Sequence, residues 1–148
     1  MLVSYDIDGV LAEQPPQAEK KWGHMNGLER KARKQFLYKW YQNAQPLLVP
    51  RETEFIAISA RKKEPLIYDI TSKWLTKNFD NKILRIYLLE KSRSLENVIE
   101  FKSNVIRNCG IQRHYEDNKK VLKGISKLLP DVELYFWEKG MQEAVLYK

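Results

Sequence analysis

Thiol and imidazole chemistry have little to work with in this chain, whose 148 residues include one cysteine, Cys109, and two histidines, His24 and His114. A lone cysteine closes no internal disulfide, which suits a reducing cytoplasm, and no histidine stands where it would obviously activate the thiol. Cys109 is read as a packing residue at a helix end, and both histidines as structural or solvent-facing. Long apolar runs are missing too: none approaches the roughly 18 residues of a membrane span. The N-terminal MLVSYDIDGVL has neither the basic start nor the small-residue cleavage site of a secretory signal. Internal repeats and low-complexity tracts are absent as well. The expectation is one soluble cytoplasmic domain over residues 1–148, with no membrane partner.

Apolar residues make up 43% and charged residues 30%, an ordinary globular balance. Trp22, Trp74 and Trp137 read as packing residues. Lysine and arginine number 26 against 19 acidic residues, a net charge of +7. A basic surface draws anions, with phosphate esters and nucleic acid the usual candidates, although solubility alone would account for it.

Five apolar, partly β-branched runs read as strands: Leu2 to Ile7, Glu54 to Ile58, Ile83 to Leu88, Ile111 to Tyr115 and Glu133 to Trp137. Helical patterns cover Gly27 to Ala44, Pro65 to Asn78, Ser94 to Asn108 and Lys119 to Leu129, with Gly110 placed as a C-cap and Pro130 as a stop. Strands alternating with helices predict a parallel sheet covered on both faces, with reactive groups at the carboxyl ends of the strands. The one long excursion runs from Ala12 to Pro50. Its helix repeats Leu28, Ala32, Phe36, Leu37, Trp40, Tyr41 and Ala44 as an apolar face, read as core packing. Arg30, Lys31, Arg33, Lys34 and Lys39 make much of the remainder basic.

Asp6-Ile7-Asp8-Gly9-Val10 directly follows the first strand. Two carboxylates two residues apart at a strand end can converge, one attacking while the other moves protons, and both can approach a divalent cation. Gly9 permits the sharp turn beyond the strand; an acidic turn without chemistry is the alternative. The second strand leads into Ser59-Ala60-Arg61, where Ser59 can donate to a phosphoryl oxygen or simply cap a helix. Arg61 and Lys62 can face a substrate or be solvated. The fourth strand ends in Tyr115-Glu116-Asp117-Asn118, acids that are either helix N-caps or neighbours of Asp6 and Asp8. In the second case they repel one another unless a cation lies among them. Lys102, in the preceding helix, can supply a fixed positive charge.

DIDGV, ISAR, a lysine before the fourth strand, and YEDN occur in the order of the four motifs of the haloacid dehalogenase (HAD) superfamily, which the chain resembles from Leu2 to about Leu129. The fourth motif departs from the commoner double aspartate by carrying Glu116, as in nucleotidases of that superfamily. The resemblance implies a phosphatase in which Asp6 forms an aspartyl-phosphate and Asp8 protonates the leaving group, then activates water. It also implies Mg2+ held by the Asp6 carboxylate, the Asp8 backbone carbonyl and Asp117, with Glu116 in support, while Ser59 and Lys102 face the phosphoryl oxygens. Dehalogenases lack the second aspartate, and transport ATPases carry lysine where this chain has Ile7. Phosphotransfer to another acceptor stays open.

The expected architecture is a three-layer α/β sandwich with a five-stranded parallel sheet, order 3-2-1-4-5, and a minimal helical cap at about residues 12–50. Ser59, Ala60, Arg61 and Lys102 would contact a small phosphorylated substrate. Arg30, Arg33 and Lys34 would form a basic patch for further phosphates. Three readings follow: a small-molecule phosphatase acting on a nucleotide or similar monoester; a phosphatase of nucleic-acid ends; and a binding protein that kept the fold without catalysis.

Overall fold

A computed structural model describes residues 1–16 and 27–147, with side chains in the second stretch from residue 29 onward. Trp22 and His24 lie outside the described residues, as does the side chain of Leu28. The elements in chain order are β1 (Val3–Tyr5), α1 (Gly27–Asn43), β2 (Glu54–Lys62), α2 (Pro65–Asn78), β3 (Lys82–Leu89), α3 (Leu95–Cys109), β4 (Arg113–Glu116), α4 (Lys119–Leu128), β5 (Glu133–Phe136) and β6 (Val145–Leu146). The sheet order is β3-β2-β1-β4-β5-β6. The expected 3-2-1-4-5 order therefore holds, but the sheet has six strands rather than five. β6 pairs antiparallel to β5 at the edge, through Tyr135 with Leu146 and Phe136 with Val145. Two residues are too short a run for alternation to reveal, which is why the pattern missed it.

Alternation along β1 and β2 sends side chains to opposite faces. Val3, Tyr5, Phe55 and Ala57 pack with Trp74 and Leu75 of α2 on one side. Ile56 and Ile58 pack with Val105 and Ile106 of α3 and with Leu122 and Ile125 of α4 on the other. Three layers result. Burying a side chain such as Ile58 or Leu122 completely contributes about 1.5–3 kcal/mol. Local signals end the helices as their chemistry requires. Ser94 caps α3 by accepting from the Asn97 N–H, and Gly110 closes it in a left-handed conformation at φ 68°. Asn118 caps α4 by accepting from Lys120 and Val121. Because Asn118 does the capping, Glu116 and Asp117 are not spent on it.

The excursion after β1 is pinned where it leaves and returns. Glu13 N–H donates to the Gln45 carbonyl (2.9 Å), Leu47 N–H to Leu11 (2.8 Å), and the Trp40 indole to the Glu13 carbonyl (3.0 Å). α1 packs against α2. Its expected apolar face is not buried as a stripe: Tyr41 and Ala44 are, Leu37 and Trp40 are half-buried, and Ala32 and Phe36 are exposed. Burial of its apolar side chains is confined to the C-terminal half. Among the described residues no helix is long and apolar enough to cross a membrane.

Candidate active site

Strand order reverses at β1, whose neighbours are β2 on one side and β4 on the other. The crevice beyond the carboxyl ends of such strands is where open α/β sheets bind ligands. A cleft of about 1180 Å³ opens there, lined at its floor by Asp6, Asp8, Ser59, Lys102, Glu116 and Asp117. The Asp6 N–H donates to the Tyr115 carbonyl (3.0 Å), which continues the β1–β4 ladder to the nucleophile candidate. Ile7 then turns into the core, fully buried, while its carbonyl accepts from Val10, Leu11 and Ala12. That turn sends Asp6 and Asp8 out together.

Asp6 sits in a buried charge cluster. Lys102 projects from the buried face of α3, between Val98 and Ile106, and its ammonium donates to Asp6 Oδ1 (3.0 Å) and Glu116 Oε1 (2.6 Å). Burial opposes the charge on Lys102, but Asp6 and Glu116 outweigh it and hold its pKa above the ordinary lysine value. Burial likewise pushes Glu116 up, yet Lys102 and His114 overcome that and keep it below the usual carboxylate range. Asp6 goes the other way: burial and then Glu116 raise it well above its ordinary value, against the pull of Lys102. Asp117 is pushed up to about 7, chiefly by burial and by Glu116. Lys91, just past β3, forms an exposed pair with Glu100 at 3.4 Å and takes no part in this cluster.

One carboxylate oxygen from each of Asp6, Glu116 and Asp117 lies within 4.8 Å of the others. The donors are all oxygen, largely buried, and carry more negative charge than one ammonium offsets. Asp6 and Asp117 bring carboxylate oxygens close to each other, the arrangement in which two acids share a proton. A hard divalent cation such as Mg2+ fits this donor set and would replace that proton. Gly9 makes room for the Asp117 carboxylate: its φ is 92°, and a Cβ there would collide with Asp117 Oδ2.

Asp8 is held apart from the cluster. Arg61 donates to both its oxygens, Nε to Oδ2 at 2.9 Å and Nη2 to Oδ1 at 2.8 Å. The solvated alternative for Arg61 is thus corrected: the side chain is 2% exposed. β2 runs on through Lys62, and its pairing with β3 slips between Ser59 and Lys62. Such an irregularity re-aims a side chain, and Arg61 points at Asp8, with Nη1 on Thr71 Oγ1 (3.0 Å) and its guanidinium 3.8 Å above the Tyr41 ring. Burial, with Asp8 adding to it, pushes the Tyr41 phenol up to about 12. Ser59 is buried and accepts the Arg61 backbone N–H (3.0 Å), and Ala60 lines the cleft beside it.

Arg30, Arg33 and Lys34 all border the cleft, with Tyr38 and Tyr41 from the same helix. Lys34 is tied to Glu64 at 3.4 Å. Three residues that pattern alone undervalued stand near the chemistry. Tyr41 was read as core and stacks on Arg61. Thr71 carried no signal. His114, read as structural or exposed, is fully buried beneath Glu116, with Nε2 3.3 Å from Oε1. A polar residue at an inward-facing strand position was the signal available for it. Neither a family model nor a curated protein matches the chain.

Proposed function

We propose that the cleft is the active site of a phosphohydrolase that cleaves phosphate monoesters through an aspartyl-phosphate on Asp6, with Mg2+ held by Asp6 and Asp117. One observation carries the reading: Asp6 lies at the switch point, with Lys102 on one of its oxygens and buried Glu116 and half-buried Asp117 around it. The order of the DIDGV, ISAR, lysine and YEDN motifs agrees with it. Asp6 attacks phosphorus as the ester bond breaks, and Asp8, aimed by Arg61, protonates the departing oxygen. Water then gives a proton to Asp8 and attacks phosphorus, which frees Asp6 and inorganic phosphate. Ser59 and Lys102 donate to phosphoryl oxygens as charge develops on them. The cation, when bound, would neutralise phosphoryl charge. The segment around α1 serves as a small cap beside the opening. A panel of phosphate monoesters assayed with and without Mg2+ tests this. Turnover should require the metal and vanish in Asp6→Asn; metal-independent turnover, or turnover surviving that change, overturns it.

A second substrate class has its own support. Arg30 of α1, Arg93 before α3 and Lys120 of α4 border the same cleft from three directions, and none of them makes an ion pair among the described residues. Cations without carboxylate partners suit a ligand with several phosphates, such as the end of a nucleic-acid strand. A steep salt dependence of KM for end-phosphorylated oligonucleotides, absent for an aryl phosphate, distinguishes it from the small-molecule reading.

A further inference from the structure

Beneath the acids a second line of buried polar groups runs away from the cleft. Ser4 and His114 are register partners across the β1–β4 pair, and neither is exposed at all. Ser4 Oγ lies 2.8 Å from His114 Nδ1, and His114 Nε2 lies 3.3 Å from Glu116 Oε1. The same Oε1 takes the Lys102 ammonium at 2.6 Å, and Lys102 goes on to Asp6. An unbroken chain therefore links Ser4, His114, Glu116, Lys102 and Asp6. No step of the proposed reaction uses its first two members, although burying a hydroxyl and an imidazole is costly unless both are bonded.

We propose that His114, locked by Ser4, is a positioning residue that holds Glu116 on Lys102 and so leaves Asp117 as the carboxylate that joins Asp6 at the cation. This rests on the phosphohydrolase reading for its consequence, but its geometry stands independently. Ser4 has a hydroxyl proton to give Nδ1, and Glu116 Oε1, already holding the Lys102 ammonium, accepts from Nε2; a neutral imidazole with its one N–H on Nε2 satisfies both contacts. Glu116 Oε1 receives two donors, which fill its lone pairs, and Oε2 accepts the Asn118 N–H at 3.4 Å, so Glu116 is far more committed to neighbours than Asp117. Asp117 makes no ion pair among the described residues and lies over Gly9, open toward the cleft.

Releasing Glu116 would let Lys102 lean wholly on Asp6 and compete with the cation for that carboxylate. Groups that orient metal-site side chains from behind typically cost 10–100-fold in metal affinity or activity when removed. His114→Leu should therefore weaken Mn2+ binding, followed by electron paramagnetic resonance with the metal alone, by about tenfold. It should lower kcat with little change in KM, and His114→Gln, which restores a donor at the Nε2 position, should recover most of both. Nitrogen-15 spectra of the wild type, which has only two histidines to assign, should show His114 protonated on Nε2 and bare on Nδ1. If His114→Leu fails to fold, Ser4→Ala tests the same chain by loosening the tautomer and weakening Mn2+ in the same direction. An Nδ1-protonated or charged His114 at neutral pH, or unchanged Mn2+ affinity in a folded variant, overturns the proposal. Failure of the phosphohydrolase reading would appear separately, as absent turnover with tautomer and Mn2+ binding as expected.

Discussion

Lys102, Glu116 and His114 at the floor of the cleft are each no more than 2% exposed and each is gripped by other side chains. Arg30, Arg93 and Lys120 at its rim are exposed and make no ion pair among the described residues. The floor hangs from the β1–β4 register and the buried face of α3, so its geometry is set by the same packing that stabilises the fold. The rim hangs from helix and loop surfaces, where long side chains keep their rotamer freedom. Changes at the floor should therefore cost stability and chemistry together, and changes at the rim should cost binding alone.

The sharpest way to break that contrast is Lys102→Met, which keeps the length of the side chain and removes its charge. Two buried carboxylates lose their counter-ion, and removing one partner of a buried pair costs on the order of 3–5 kcal/mol. Denaturant unfolding should show a loss of that size, with turnover abolished. A loss as small as a surface pair gives would mean that the floor is wet.

Gly9→Ala strikes the floor through the backbone. An L side chain at φ 92° is strained, and its Cβ would collide with Asp117 Oδ2. Strain of about 1–3 kcal/mol and a fall of roughly 100-fold in kcat, the cost of misplacing a reacting group by about 1 Å, are expected. Near-normal kcat would remove Asp117 from the cation site.

Proton linkage gives a smaller, graded effect. Asp117 has its folded pKa raised from 3.8 to about 7, so between those values the metal-free folded state holds a proton that the unfolded chain has lost. Its contribution to stability is full below pH 3.8 and is lost as pH rises through about 7, a change on the order of a few kcal/mol. Mg2+ competes with that proton and should raise Tm more at pH 8 than at pH 5. Equal shifts at both values would mean that metal and proton do not share the site.

At the rim, replacing Arg30, Arg93 and Lys120 together by glutamine should leave stability within about 0.5 kcal/mol per site. For single-stranded oligonucleotides the dependence of log K on log salt should flatten by about 2, near 0.7 per lost phosphate contact. An aryl phosphate should notice little. Equal losses on both substrates would make the rim structural.

Much of the floor was readable in advance because its signals are local. A strand leading to Asp6 and one leading to Glu116-Asp117 follow from period and position, while Lys102 was singled out by the order of the motifs. Sheet order then brings them together, and the Gly110 cap follows from residue type, whereas the α4 cap falls on Asn118 rather than on the acids before it. What was not readable depends on contacts distant in sequence. The aim of Arg61 at Asp8 comes from an irregularity in β2–β3 pairing, and the His114–Ser4 contact spans 110 positions. Periodicity on α1 gave an apolar face but not its depth, since only the half that meets α2 is covered. The two-residue β6 carries no pattern at all.

The most direct test asks whether Asp6 carries the phosphoryl group during turnover. Rapid acid quenching of the enzyme with an isotopically labelled monoester and Mg2+, followed by peptide mass mapping, should find a phosphoryl group on Asp6. It should accumulate in Asp8→Asn, which can form the intermediate but hydrolyses it slowly. Full turnover with no phosphorylated enzyme at any time, and none in Asp8→Asn, would contradict covalent catalysis by Asp6.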